Sequence, residues 1–206
     1  MNLIKKMFNK QMELNNQTAG IGWDKSFNEN FVSPERWEKY KIIEACELLE
    51  SLPNCYHWKK NEADWFNVKV EAIDILFFAI SHAIASGTNY KEFGYNIFDG
   101  IGSQLVNVFD IGTIVINDIV KSNSTEAIGV LFKKLDMDVE DIYKAYMSKH
   151  VLNRFRQEHG YKEGEYIKIW NGEEDNVSAF KLADECSLDS FEIELYQKLE
   201  NEYRLV

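Results

Sequence analysis

Apolar residues in this chain recur at helical spacing, and the alternating apolar and polar pattern of strands is almost absent. Leu3, Met7, Lys10/Gln11 and Leu14 share one stripe, which predicts a helix from Leu3 to about Gln17, ended by Gly20-Ile21-Gly22. Ser33-Pro34 marks the next start, with Ser as N-cap and Pro at the first helical position, and Leu52-Pro53-Asn54 stops that helix after about Ser51. A third helix runs from about Trp65 to Ser86 and is closed by Gly87. Gly94, Gly100, Gly102 and Gly112 punctuate the middle, where a helix from about Ser103 to Lys121 is expected, although Thr113 to Ile116 is β-branched enough for a short strand. Ser124/Thr125 cap a short helix to Leu135, and Asp138 with Asp141 opens another that reaches Glu158 before Gly160. Gly160 to Asn176 reads as a long loop. Asp189/Ser190 then cap a terminal helix to about Tyr203, striped by Phe191, Leu195 and Leu199. The pattern predicts an all-α helical bundle forming a single domain over residues 1–206.

Two pieces interrupt the apolar stripes in a telling way. Glu44-Ala45-Cys46-Glu47 and Glu71-Ala72-Ile73-Asp74 each set two acids three residues apart, on one helical face. The second lies within a nearly unbroken apolar run, Val68 to Ile80, where an uncompensated carboxylate costs several kcal/mol. Four hard oxygen donors from two facing helices suit Mg²⁺ or Mn²⁺ rather than zinc, and magnesium works beside phosphate oxygens. The bland alternative is that Glu44 and Glu47 form a solvated face with Glu50 and Lys41.

Composition narrows the picture. The chain is 45% hydrophobic and 14% aromatic, too rich in core formers for disorder, and no run reaches membrane-spanning length. Its start lacks the apolar core of a signal peptide, so a cytoplasmic location is expected. A net charge of −11 argues against a nucleic-acid polymer as partner but leaves room for a small phosphorylated ligand. The three cysteines, Cys46, Cys55 and Cys186, show no paired framework and read as reduced packing residues, Cys46 as core filler.

A second constellation supplies cations. Lys149, Asn153 and Arg156 are spaced i, i+4, i+7 and share one helix face, a cradle for oligophosphate unless they serve only the helix dipole. Beyond Gly160 the loop adds Tyr161, Lys162, Tyr166 and Lys168, groups that a closing lid would bring to a ligand. His159 has no evident acid–base partner and reads as a surface residue; His82 reads as a core residue.

Over most of its length the chain resembles the dimeric all-α dUTPases, which belong with the MazG-like all-α NTP pyrophosphatases. The likeness is strongest from Lys149 to Gln157, through Gly160 to Tyr166, and on to Trp170-Asn171-Gly172-Glu173-Glu174-Asp175-Asn176. It implies that Glu44, Glu47, Glu71 and Asp74 bind two or more Mg²⁺ ions, with Mn²⁺ as a substitute, and that Glu44 is the general base. It further implies that Gln11 and Asn15 read the uracil edge, that Trp58 lies near the base, and that Lys149, Asn153, Arg156, Tyr161 and Lys168 bind the phosphates and sugar. The expected fold is the all-α NTP pyrophosphatase bundle with a C-terminal phosphate-binding loop and terminal helix, rigid over about 1–88 and 122–206, with a mobile or dimer-forming part at about 89–121. The chain departs from the family pattern at His150, where Asn is expected, and at Tyr90 to Lys121, which is short and aligns poorly.

The implied activity is Mg-dependent hydrolysis of dUTP, and of dUDP, to dUMP by a homodimer with no membrane partner. A dCTP or broader dNTP pyrophosphatase is the alternative, because Gln and Asn amides can flip to suit cytosine. A non-catalytic helical regulator is the other class, disfavoured by intact acids at all four positions.

Overall fold

In the computed structural model the described residues are 3–53, 55, 58, 60–99 and 110–205. Among them the chain is all-α: α1 (Leu3–Thr18), α2 (Pro34–Ser51), α3 (Trp65–Ala85), α4 (Tyr90–Gly94), α5 (Ile111–Thr113), α6 (Thr125–Lys134), α7 (Val139–Glu158), α8 (Asp175–Ala183) and α9 (Phe191–Tyr203). Two π-helical stretches, Tyr95–Asp99 and Ile114–Lys121, follow α4 and α5. The helix expected from Ser103 to Lys121 is present from Ile111 onward, partly in this wider winding; its 103–109 portion lies outside the described residues. The backbone forms two compact units, Met1–Ile142 and Tyr143–Val206.

In the first unit, α2 and α3 are the most extensively packed helix pair, and their joined ends explain the register between them. The Asp64 side chain caps α3 by accepting from the Asn67 amide. Asp64 N donates to the Ser51 carbonyl at 3.0 Å, and Asn67 Nδ2 donates to Ser51 Oγ at 2.8 Å. The start of α3 is thereby pinned to the end of α2, and the helices run antiparallel. Pro34 does occupy the first turn of α2, but the Ser33 hydroxyl makes no capping bond to the backbone. α3 is apolar almost all round, as a central helix must be. Ile73, Ile75, Leu76 and Ile80 are fully buried, each contributing roughly 1.5–3 kcal/mol through burial. α1 and α6 both pack on α3, and their Met7, Leu14, Ile128 and Leu131 side chains are buried.

The second unit, which contains α7 after its first turn, is held by aromatic rings. Phe155 and Trp170 are wholly buried and lie edge to face at 5.9 Å, and Tyr203 approaches both rings. Here the structure corrects the expected loop. Only its first part is irregular; a hairpin follows, β1 (Ile169–Trp170) paired antiparallel with β2 (Glu173–Glu174), and α8 begins at Asp175. Its turn is Asn171-Gly172, with φ of 50° and 88°, a pair that favours the left-handed region and matches strand twist. α8 packs on α9, whose Phe191, Leu195 and Leu199 stripe is buried as the spacing predicts.

Candidate functional site

The antiparallel α2/α3 pair turns its acids toward one another. Carboxylate oxygens of Glu44, Glu47 and Glu71 all lie within 4.8 Å of each other. Asp74, one turn beyond Glu71, is close enough for its charge to act on Glu44. The burial is graded: Glu71 is 7% exposed, Glu44 and Asp74 are half-buried, and Glu47 faces solvent. A solvated face describes Glu47 but not Glu71, and Lys41, the cation expected on that face, is itself buried against Asn123.

Crowded charge has a measurable consequence. Burial first, then the charges of Asp74, Glu71 and Glu47 and a hydrogen bond to Glu71, push the Glu44 carboxyl from its usual range up to about 8. A buried set of hard oxygen donors whose charges also repel one another fits a divalent cation, which offsets both costs. The sign of the resulting linkage is fixed. Folding raises the proton affinity of Glu44, so its stabilising contribution is complete below the ordinary carboxylate pKa and is lost as pH rises through about 8. Metal-free protein should therefore lose stability between about pH 5 and pH 8.5, and Glu44→Gln should flatten that part of the curve. Thermal melts of both proteins in EDTA across this range check it; an unchanged difference between them would show that Glu44 is not the cause.

α1 carries a buried amide relay. Gln11 Nε2 donates to Asn15 Oδ1 at 3.0 Å, Asn15 Nδ2 donates to Ser81 Oγ at 2.9 Å, and Ser81 Oγ donates to the Phe77 carbonyl at 3.0 Å. Because the Ser81 hydroxyl proton is committed to Phe77, Asn15 cannot flip without losing a bond, and the amide orientations are fixed. Ser81 was not legible as a participant, since a lone Ser within an apolar helix gives no signal. Trp58 is 71% exposed; its neighbours His57 and Lys59 lie outside the described residues.

In the second unit the predicted cationic face of α7 is assembled. Lys149 Nζ reaches Asn176 Oδ1 at 3.4 Å, and Arg156 donates to Asn153 Oδ1 at 3.4 Å and Asn176 Oδ1 at 3.5 Å. Lys149 is 5% and Arg156 9% exposed. Arg156 is also clamped: Nε and Nη2 donate to the two oxygens of Asp175 at 2.8 and 2.7 Å. Burial alone would lower the guanidinium, but the hydrogen bonds and charge of Asp175 raise it. The Tyr166 hydroxyl donates to Asp175 as well, at 2.8 Å, and burial followed by that carboxylate pushes the phenol upward. Tyr161 stays 46% exposed with its ring 5.8 Å from the Arg156 guanidinium, and Lys168 is exposed, 3.6 Å from Glu174. Asp175 and Asn176 were not predicted as site residues, because they fell at the end of what reads as loop.

Two smaller expectations need correction. Cys46 and Cys55 are exposed, because position 46 lies on the outer side of α2, opposite buried Ala45 and Leu48. His159 is not a plain surface residue: its ring stacks on Phe155 at 3.8 Å, Nδ1 meets the Phe155 carbonyl, and Nε2 lies 3.2 Å from Glu200.

Fold and site together define an all-α protein organised around a carboxylate cluster. Comparison with known families is more particular: the family model described as dUTPase matches residues 3–161, well over half the chain, and the chain belongs to this all-α dUTPase family. Membership makes it a dUTP-hydrolysing enzyme. No curated protein matches the chain. No helix among the described residues is long and apolar enough to cross a membrane.

Proposed function

We propose that this enzyme converts dUTP, and also dUDP, to dUMP with the help of Mg²⁺, held by Glu44, Glu47, Glu71 and Asp74, with Mn²⁺ as a substitute. The observation that carries the reading is the meeting of three carboxylates within 4.8 Å on one helix pair. When bound, two or more such ions would acidify a water and offset the charge that develops on the phosphates. Glu44 accepts the proton of the attacking water, and Lys149, Asn153, Arg156, Tyr161 and Lys168 serve the phosphates and sugar. Trp58 offers an apolar face near the base. The enzyme acts as a homodimer in the cytoplasm, limiting uracil in DNA and supplying dUMP.

The amide relay supports a pocket that selects one pyrimidine, with uracil as the base the family reading assigns to it. Gln11 Nε2 donates to Asn15 Oδ1 and Asn15 Nδ2 donates to Ser81 Oγ, so neither amide turns over without losing a bond, and one pyrimidine edge is read rather than two. One hydrolysis panel tests the whole reading: kcat/KM for dUTP, dCTP, dTTP and UTP, with and without Mg²⁺. The expected preference for dUTP over dCTP is about a hundredfold or more, since a mismatched polar edge leaves buried groups unpaired. Equal values would make the enzyme a general dNTP pyrophosphatase, and full activity in EDTA would remove the metal from the scheme.

A further inference from the structure

Asp175 lies beyond the stretch matched by the family model, yet it is the most completely buried carboxylate among the described residues, at 0% exposure. Three donors converge on its two oxygens: Arg156 Nε, Arg156 Nη2 and the Tyr166 hydroxyl. A buried ion pair that served the fold alone could be exchanged for apolar side chains at little cost. This one does something an apolar pair could not. Arg156, locked by Asp175, directs its remaining N–H groups at the carbonyl oxygens of Asn153 and Asn176, and Lys149 adds a second cation at the Asn176 oxygen.

Cations have only donors, so both amides must turn their oxygens inward to them. Their Nδ2–H groups are then the ends left for other partners. Asn153 and Asn176 are half-buried, whereas the residues that orient them are buried, so the fixed part is inside and the presenting part is accessible. We propose that Asp175 is a positioning residue: by holding Arg156 it sets the amides of Asn153 and Asn176 so that two N–H donors are presented to the acceptor oxygens of the nucleotide's phosphate and sugar. Tyr166 is its auxiliary, donating to the same Asp175 oxygen as Arg156 Nε. This rests on the reading that places Arg156 and Asn153 on the phosphate side.

The test separates the two. KM and kcat for dUTP, and calorimetric affinity for the non-hydrolysable α,β-imido-dUTP, are measured for Arg156→Gln, Asp175→Asn, Tyr166→Phe and the Arg156→Gln/Asp175→Asn pair. Each protein is checked for native circular dichroism at the assay temperature. Arg156→Gln should weaken binding about tenfold or more, the scale of one charge-assisted hydrogen bond. Asp175→Asn should raise KM by about tenfold with kcat changed less than about threefold, and should add nothing in the Arg156→Gln background. A partly unfolded population would lower apparent kcat and leave KM alone, which distinguishes a structural defect. If Asp175→Asn does not fold, Tyr166→Phe decides, with an expected rise in KM of about threefold. Wild-type binding by Arg156→Gln would overturn the phosphate-side reading. Impaired Arg156→Gln beside wild-type KM in the folded Asp175 or Tyr166 variants would overturn the positioning role alone, as would a full additional loss in the double variant.

Discussion

Glu71→Gln should abolish most dUTP hydrolysis while leaving the helices intact. Glu71 is the deepest acid of the cluster, 7% exposed, set among Val70, Ala72, Ile73 and Ile75 on α3. Gln has the same shape but neither the charge nor the full acceptor capacity, so the variant isolates electrostatics from packing. Loss of one charged ligand from a hard-cation site should lower kcat by about a thousandfold or more, close to 4 kcal/mol. The same change should not weaken the metal-free fold, because it removes one of the charges that crowd Glu44. Added Mg²⁺ should raise the melting temperature of the wild type and leave that of the variant nearly unmoved, since a ligand stabilises only what it binds. Stopped assays at matched protein concentration, paired with melts with and without Mg²⁺, give both readouts. Normal turnover by Glu71→Gln would mean that the acids have another purpose.

The second large effect falls on stability. Trp170→Ala should cost the second unit about 3–5 kcal/mol. The indole is fully buried, lies against Phe155, Tyr166 and Tyr203, and its N–H donates to the Ile167 carbonyl at 2.8 Å. A unit as short as Tyr143–Val206 has little core to spare, because small domains bury a smaller share of their surface. Urea unfolding followed by circular dichroism would register the loss; a midpoint unchanged from wild type would show that the cavity collapses without penalty. Trp170→Phe, which keeps the ring contacts, should recover most of it.

Trp170 also illustrates what could be read beforehand. The bundle was legible because its helices announce themselves locally: Ser33-Pro34, Asp138 with Asp141, and the Phe191, Leu195, Leu199 stripe all mark what forms. The acid pairs were legible because a carboxylate such as Glu71 inside an apolar helix conflicts with burial unless something balances it. Between Gly160 and Asn176, glycines and charges hid two short elements. The Asn171-Gly172 pair did carry a hairpin signal. α8 offers less, because its buried stripe is only Ala179 and Ala183, residues too small to stand out. Asp175 lies in the stretch that carries the family likeness, but its partner Arg156 is nineteen positions earlier and no local pattern joins them.

The buried Lys41 ammonium remains. It sits on α2 one turn before Glu44 and reaches across to the side chain of Asn123, a residue with φ of 50° just past the π-helical stretch Ile114–Lys121. Burial lowers this lysine to about 8, so its proton is lost in mildly alkaline solution. The helix bearing Glu44 and Glu47 is thus tethered to a corner of the chain some eighty residues away. Alkaline solution would slacken that tether as it discharges the ammonium.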